Sequence, residues 1–236
     1  MLRKELTYFF SSPIAYIVVG VYVLSMALFL WIVPGEYNIA DSGYAQMDGM
    51  FRLSPWLFML LCPALTMHLI SEERSSGTWD LVVSKPYPLW RIYVEKLTAA
   101  WIVVLLAVML TLVSVFFVYL MAEPKGNIDS GALIGSVMGL MLISLAFCSV
   151  GLWASTLSKR QVICFVLAAT ACFLLFYGFD LLSMLLGQGK AVRVVEQIGM
   201  NSHYESISRG VIDLGDVIYF LSVTVLFVVF SIGRKR

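Results

Sequence analysis

Six apolar runs, each near 20 residues long, decide what this chain can fold into. An α-helix rises 1.5 Å per residue, so about 20 residues cross the hydrocarbon of a bilayer. The runs lie near 14–33, 54–71, 98–121, 132–157, 162–183 and 216–233. Lipid offers no partner to backbone N–H and C=O groups, so such runs must pair internally as helices. Only 13% of the 236 residues are charged, against 60% apolar, where a soluble domain carries roughly a quarter charged. The expected fold is an all-α membrane protein of six transmembrane helices, with residues 1–236 as a single domain.

Lys and Arg concentrate on cytoplasmic loops. The N-terminus, loop 72–97, the hairpin 158–161 and the C-terminal tail hold eleven basic residues; segments 34–53, 122–131 and 184–215 hold five. Both termini are therefore expected in the cytoplasm, as an even number of spans requires of termini sharing a side. The net charge of +1 gives no electrostatic footprint for nucleic acid. Cys62, Cys148, Cys164 and Cys172 fall inside apolar runs, at no metal-like spacing, and read as buried thiols. The start of the chain does not read as a cleavable leader: its first apolar run is long enough to span and lacks a small-x-small cleavage site.

Leu2, Leu6, Phe9 and Phe10 recur at helical spacing among Arg3, Lys4 and Glu5. This predicts an amphipathic helix lying in the headgroup plane and ending at Ser11-Ser12-Pro13. The last outer loop is too long for a simple connector. Ser202 with Glu205 reads as a capping box and Gly210 as a stop, predicting a short helix over 203–209. A second short outer helix is expected through Ala191–Ile198, where Val192, Val195 and Ile198 repeat at helical spacing.

Loop 72–97 carries the functional signal. It reads Glu72-Glu73-Arg74-Ser75-Ser76-Gly77-Thr78-Trp79-Asp80-Leu81-Val82-Val83-Ser84-Lys85-Pro86. A glycine hinge, a short run with Trp79, Leu81 and Val82, and a proline stop predict a helical turn with an apolar face. Asp80 near its start favours the helix dipole, and Pro88 can open the helix leading into span three. A tryptophan followed by three aliphatics serves a docking surface better than a solvated loop; folding back on the membrane interface is the alternative.

These features resemble the permease subunits of the ABC-2 transporter family: six spans, an N-terminal interfacial helix and Glu-Glu-x-x-x-Gly-Thr after the second span. The likeness extends to Leu81, Lys85-Pro86 and Lys96, where Glu95 replaces the glycine such permeases often carry. More narrowly, the chain resembles the gliding-motility permease of the GldF type. The runs that carry this likeness are Lys4-Glu5-Leu6, Phe9-Phe10-Ser11-Ser12-Pro13-Ile14-Ala15-Tyr16, Asn38-Ile39, Gly43-Tyr44-Ala45, Pro63-Ala64-Leu65-Thr66-Met67 and Ser208-Arg209-Gly210-Val211-Ile212-Asp213. His68 departs from the basic residue found in many relatives.

The resemblance implies a multi-pass permease of the bacterial inner membrane, powered by ATP and Mg on two copies of a separate ABC ATPase. It also implies a second permease with a large extracytoplasmic domain, meeting this chain near spans one and five. The ATPase-coupling residues are then Glu72, Glu73, Arg74, Gly77, Thr78, Trp79, Asp80, Leu81 and Val82. Their charges would pair with the ATPase groove, Trp79 would anchor in it, and Gly77 would permit the turn before the coupling helix.

The chain itself shows no catalytic centre. Gly187-Gln188-Gly189-Lys190 lacks the spacing and hydroxyl of a phosphate loop. Asp180 has no second intramembrane carboxylate to share a proton with and reads as a cap or ion-pair partner. His68 reads as a polar interface contact, and His203 with Glu205 lacks a third metal ligand. Gly135 and Gly139 form a close-packing motif within the bundle, while Pro55 and Pro63 predict a bend in span two. A scaffold that transmits force is the rival reading; a passive channel is disfavoured by the scarcity of intramembrane charge.

Overall fold

The computed structural model describes residues 2–42, 47–84, 86–121, 130–186, 197–210 and 213–233. Among them the chain is helical throughout, with no strand. Helix α1 covers Leu2–Ser11 and α2 Pro13–Ala27, the latter continued by a π-helical turn at Leu28–Ile32. A short α3, Ile39–Ser42, precedes α4, Asp48–Thr66, and α5, His68–Ser75. Then come α6, Trp79–Val83; α7, Leu89–Thr111; α8, Val113–Met121; and α9, Ser130–Ser155. Helix α10, Gln161–Phe173, runs through a second π turn, Leu174–Gly178, into α11, Phe179–Leu186; α12 covers Met200–Ser208 and α13 Leu214–Gly233.

Among the described residues six helical stretches are long and apolar enough to span a bilayer: Pro13–Ile32, Asp48–Ser75, Leu89–Met121, Gly131–Ser155, Gln161–Leu185 and Leu214–Gly233. Spans two and three outrun the sequence expectation. Hydropathy marks only the lipid-facing middle of a helix, and the polar turns at Arg52 and Glu72–Ser75 continue it into the aqueous layers. Spans two and four have 67% and 61% of their most apolar stretch buried inside the chain, against 28%, 33%, 28% and 22% for spans one, three, five and six. The former therefore form the core, and the latter turn apolar surface outward.

Local chemistry explains several boundaries. Ser12 caps α2 by accepting from the Ile14 N–H at 3.3 Å, with Pro13 in the first helical turn. Pro55 cannot donate to the carbonyl of Phe51 four residues earlier. That carbonyl instead accepts the buried Tyr204 hydroxyl at 2.7 Å, so α4 passes through both prolines and breaks only at Met67. Burial pushes the Tyr204 phenol well above its ordinary pKa, keeping it a donor.

The outer helix α12 starts at Met200, capped at Gly199, rather than at the expected Ser202–Glu205 box. Ser202 lies inside the first turn, where its hydroxyl donates to the Gly199 carbonyl at 2.9 Å. Gly210 ends the segment with φ +85. The helix expected over Ala191–Ile198, like the string Gly187–Lys190, lies almost wholly or wholly outside the described residues. Gly135 and Gly139 receive α12 itself: a Cβ on Gly135 would stand 2.7 Å from the Ile207 carbonyl oxygen, and one on Gly139 3.3 Å from Tyr204. Their close packing is thus within this chain. All four cysteines are buried free thiols.

Candidate functional site

Helix α1, the end of span two, α6, the start of span three and the turn after span four converge at one end of the bundle. Their meeting point is Lys96, whose side chain is only 4% exposed. Its ammonium lies 2.9 Å from Glu73 Oε1 and 3.4 Å from Glu5 Oε2, joining α7, α5 and α1 through one cation. Beside it the Tyr8 hydroxyl donates to Glu72 Oε2 at 2.7 Å. Partial burial, that hydrogen bond and the surrounding carboxylates push the Tyr8 phenol up to about 12. Helix α1 is thus more than an interfacial float: Phe9 is fully buried in the core and α1 is held by side chains on two spans.

His68 is 2% exposed and sits against Tyr8 and Phe9, with ring centroids 5.9 and 5.4 Å away. Among the described residues neither ring nitrogen has a hydrogen-bond partner. The polar interface contact expected of it is replaced by aromatic packing, because α1 covers this end of span two.

The coupling segment follows. Gly77 turns the chain with φ +71, a region open to glycine at no steric cost. The Ser76 and Thr78 hydroxyls pair at 2.9 Å, and the Leu81 N–H donates to the Thr78 carbonyl at 3.1 Å. Arg74 donates to the Thr156 carbonyl at 2.6 Å, tying the segment to the end of span four. The same guanidinium stands 5.6 Å from the Trp79 ring centroid, and Trp79 meets Tyr93 edge-on at 6.0 Å. An arginine over an aromatic face is attracted by the ring quadrupole.

Of the nine residues expected to couple, five therefore face their own chain. Glu72, Glu73 and Arg74 are engaged by Tyr8, Lys96 and Thr156, and Trp79 and Val82 are half-buried. Gly77, Thr78, Asp80 and Leu81 are exposed, Leu81 at 67%. Val83, Tyr87 and Trp90, outside the expected set, extend this exposed apolar surface at 37%, 46% and 57%. Tyr8, Tyr93 and Thr156 carried no sequence signal, since their partners lie far along the chain.

At the opposite end, Asp180 accepts from Asn201 at 2.8 Å, an amide where an ion pair was one expectation. His203 Nδ1 lies 2.6 Å from Asp216 and Nε2 2.8 Å from the Gln197 carbonyl. Among the described residues no group of three or more His, Cys, Asp or Glu is placed to hold a metal.

A family profile described as ABC-2 family transporter protein matches residues 37–232. Among curated proteins none matches. The matched region takes in five of the six spans, the Gly77 turn and the coupling segment, and with most of its length covered the chain belongs to the ABC-2 transporter family.

Proposed function

We propose that this chain is the permease half of an ATP-driven complex, in which a separate ABC ATPase docks on α6 and moves the spans through it. Permeases of this family are typically non-catalytic membrane subunits, so ATP and Mg belong to the ATPase, present in two copies. A second permease, bearing a large extracytoplasmic domain, completes the pathway against spans one and five. The complex sits in the bacterial inner membrane with both termini cytoplasmic, and the quoted runs favour the gliding-motility branch.

One observation supports the coupling role above the others. Helix α6 exposes Leu81 and Val83 while its flanks are fixed by side chains to α1, span three and span four. A partner pressing on that face therefore pushes on three elements of the membrane bundle at once. A force-transmitting scaffold would use the same linkage, and solute or lipid flux in proteoliposomes separates the two.

The test is recovery of the co-encoded ATPase with tagged permease in mild detergent. A complex heavier than the 26.4 kDa chain, containing ATPase, is expected; a monomer recovered when all co-encoded genes are expressed would overturn the reading. Orientation has its own test. In a background lacking the four native cysteines, Glu36→Cys should react with an impermeant thiol reagent applied outside and Lys159→Cys should not. Both side chains are exposed, so the reverse pattern would invert the topology.

A further inference from the structure

Helix α12 packs against span four, span six and the π turn of span five, and side chains tie it down at four points. Tyr204 donates to the Phe51 carbonyl of span two at 2.7 Å, and the Ser136 hydroxyl of span four to the Ser208 carbonyl at 2.8 Å. Asn201 donates to Asp180 at 2.8 Å. The donors of these three ties are two hydroxyls and an amide, which do not change charge near neutrality. The fourth tie is His203, and histidine ordinarily changes charge between about pH 5 and 8.

Both ring nitrogens of His203 face acceptors. Nδ1 lies 2.6 Å from Asp216 Oδ1 and Nε2 2.8 Å from the Gln197 carbonyl. A neutral imidazole carries one N–H and one lone pair, and only the imidazolium donates from both nitrogens. With both protons in place, the ring joins the start of span six to the chain entering α12. With one lost, a lone pair is set against an oxygen and that contact turns repulsive. Asp216 sharpens the dependence. It is 7% exposed, and among the described residues His203 is its only ion-pair partner, while its Oδ2 has no hydrogen-bond partner.

No other group nearby replaces that proton. Span six adds Tyr219, stacked on the His203 ring at 4.1 Å, with its hydroxyl donating to the Ile198 carbonyl at 2.6 Å. Asp213, just before span six, accepts from the Gly215 N–H at 3.0 Å. Span four brings no charged residue, and the π turn brings only Tyr177. Glu205 and Arg209 line an outer cavity of about 660 Å³ that His203 does not reach. We infer that the His203–Asp216 pair is a proton-operated latch on α12, shut when the ring carries both protons and released when it loses one. Helix α12 walls the cavity through Asn201, Tyr204, Glu205 and Ser208, so release loosens that wall. The latch needs no ATPase; its use as an outer gate rests on the permease reading.

The test follows hydrogen–deuterium exchange of α12 from about pH 5 to about pH 8. It uses the chain with its co-encoded ATPase in nanodiscs, each rate being divided by the intrinsic rate at that pH. Exchange in the parent should rise about tenfold or more across the range, as a hydrogen bond to a charged group is lost. Asp216→Asn is the decisive variant. Its amide can donate to a neutral Nδ1 while the Nε2–H still reaches the Gln197 carbonyl, so α12 should stay protected at both ends of the range. His203→Gln should show no step with pH. The chain has two histidines, so ¹⁵N NMR of histidine-labelled protein, assigned with His203→Gln, should show both His203 nitrogens protonated at the acid end. A flat parent profile, a step that persists in Asp216→Asn, or a neutral His203 ring at the acid end would overturn the latch. ATPase retained in the discs reports the permease reading separately: a failed latch with ATPase present leaves that reading standing, and a working latch with ATPase lost removes only the gate.

Discussion

Leu81→Asp should strip the ATPase from the permease while leaving the permease in the membrane. Leu81 is 67% exposed on α6 and lies outside the hydrophobic core. At the centre of an interface a large aliphatic is desolvated on docking, and a carboxylate there must either stay wet and hold the surfaces apart or be buried unpaired. The loss expected is about 2 kcal/mol or more, and at about 1.4 kcal/mol per tenfold this weakens docking roughly thirtyfold. Asp80→Asn should do less, since a rim charge remains partly solvated. Trp79→Ala should behave differently from both. Its ring is held by Tyr93 and Arg74 of the same chain, so its loss should loosen α6 and lower the permease's own thermal midpoint. ATPase recovered per permease, measured beside total permease in the membrane, separates these outcomes. Normal recovery with Leu81→Asp would move the docking surface elsewhere.

The contrast between Leu81 and Trp79 shows how far a sequence can be read. Periodicity and apolar length located all six spans, because each span satisfies its own backbone and its composition is a local property. Gly77 was legible for the same reason: a turn between two helices needs φ > 0, and glycine supplies it. Tryptophan beside three aliphatics announces a buried ring, but not whose surface buries it. Tyr93 lies beyond a proline-containing turn, and no local rule pairs the two. Glu72, Glu73 and Arg74 read as charges available to a partner for the same reason. Their actual partners are Tyr8, Lys96 and the Thr156 carbonyl, 64, 23 and 82 residues away. The capping box at Ser202 and Glu205 failed on a different point. Gly199 takes the N-cap position instead, three residues ahead of Ser202, whose hydroxyl is turned back onto the Gly199 carbonyl.

Lys96→Met should cost the permease more stability than any change on the docking face. Lys96 brings one positive charge to two carboxylates, with Glu73 at 2.9 Å and Glu5 at 3.4 Å. Its own side chain is 4% exposed, while those of Glu5 and Glu73 are 16% and 22% exposed. Methionine matches the stem in length and would improve hydropathy at the start of span three, so insertion should be unimpaired. The damage comes from what is left behind: two carboxylates facing each other with little water and no cation. Breaking a buried pair by removing one partner costs about 3–5 kcal/mol, and the residual hydration of the carboxylates places this case near the lower end. Helix α1 and the end of span two should separate, and with them the anchoring of α6. A double variant, Lys96→Met with Glu73→Gln, should recover much of the loss because one orphaned charge is removed with the cation. The measurement is the thermal midpoint in nanodiscs for the two variants and the parent, with ATPase recovery alongside. A single variant as stable as the parent would mean that the three charges are already solvated, and α1 would then owe its position to Phe9, to Leu2 and Leu6 packed against the core, and to the Tyr8 hydrogen bond.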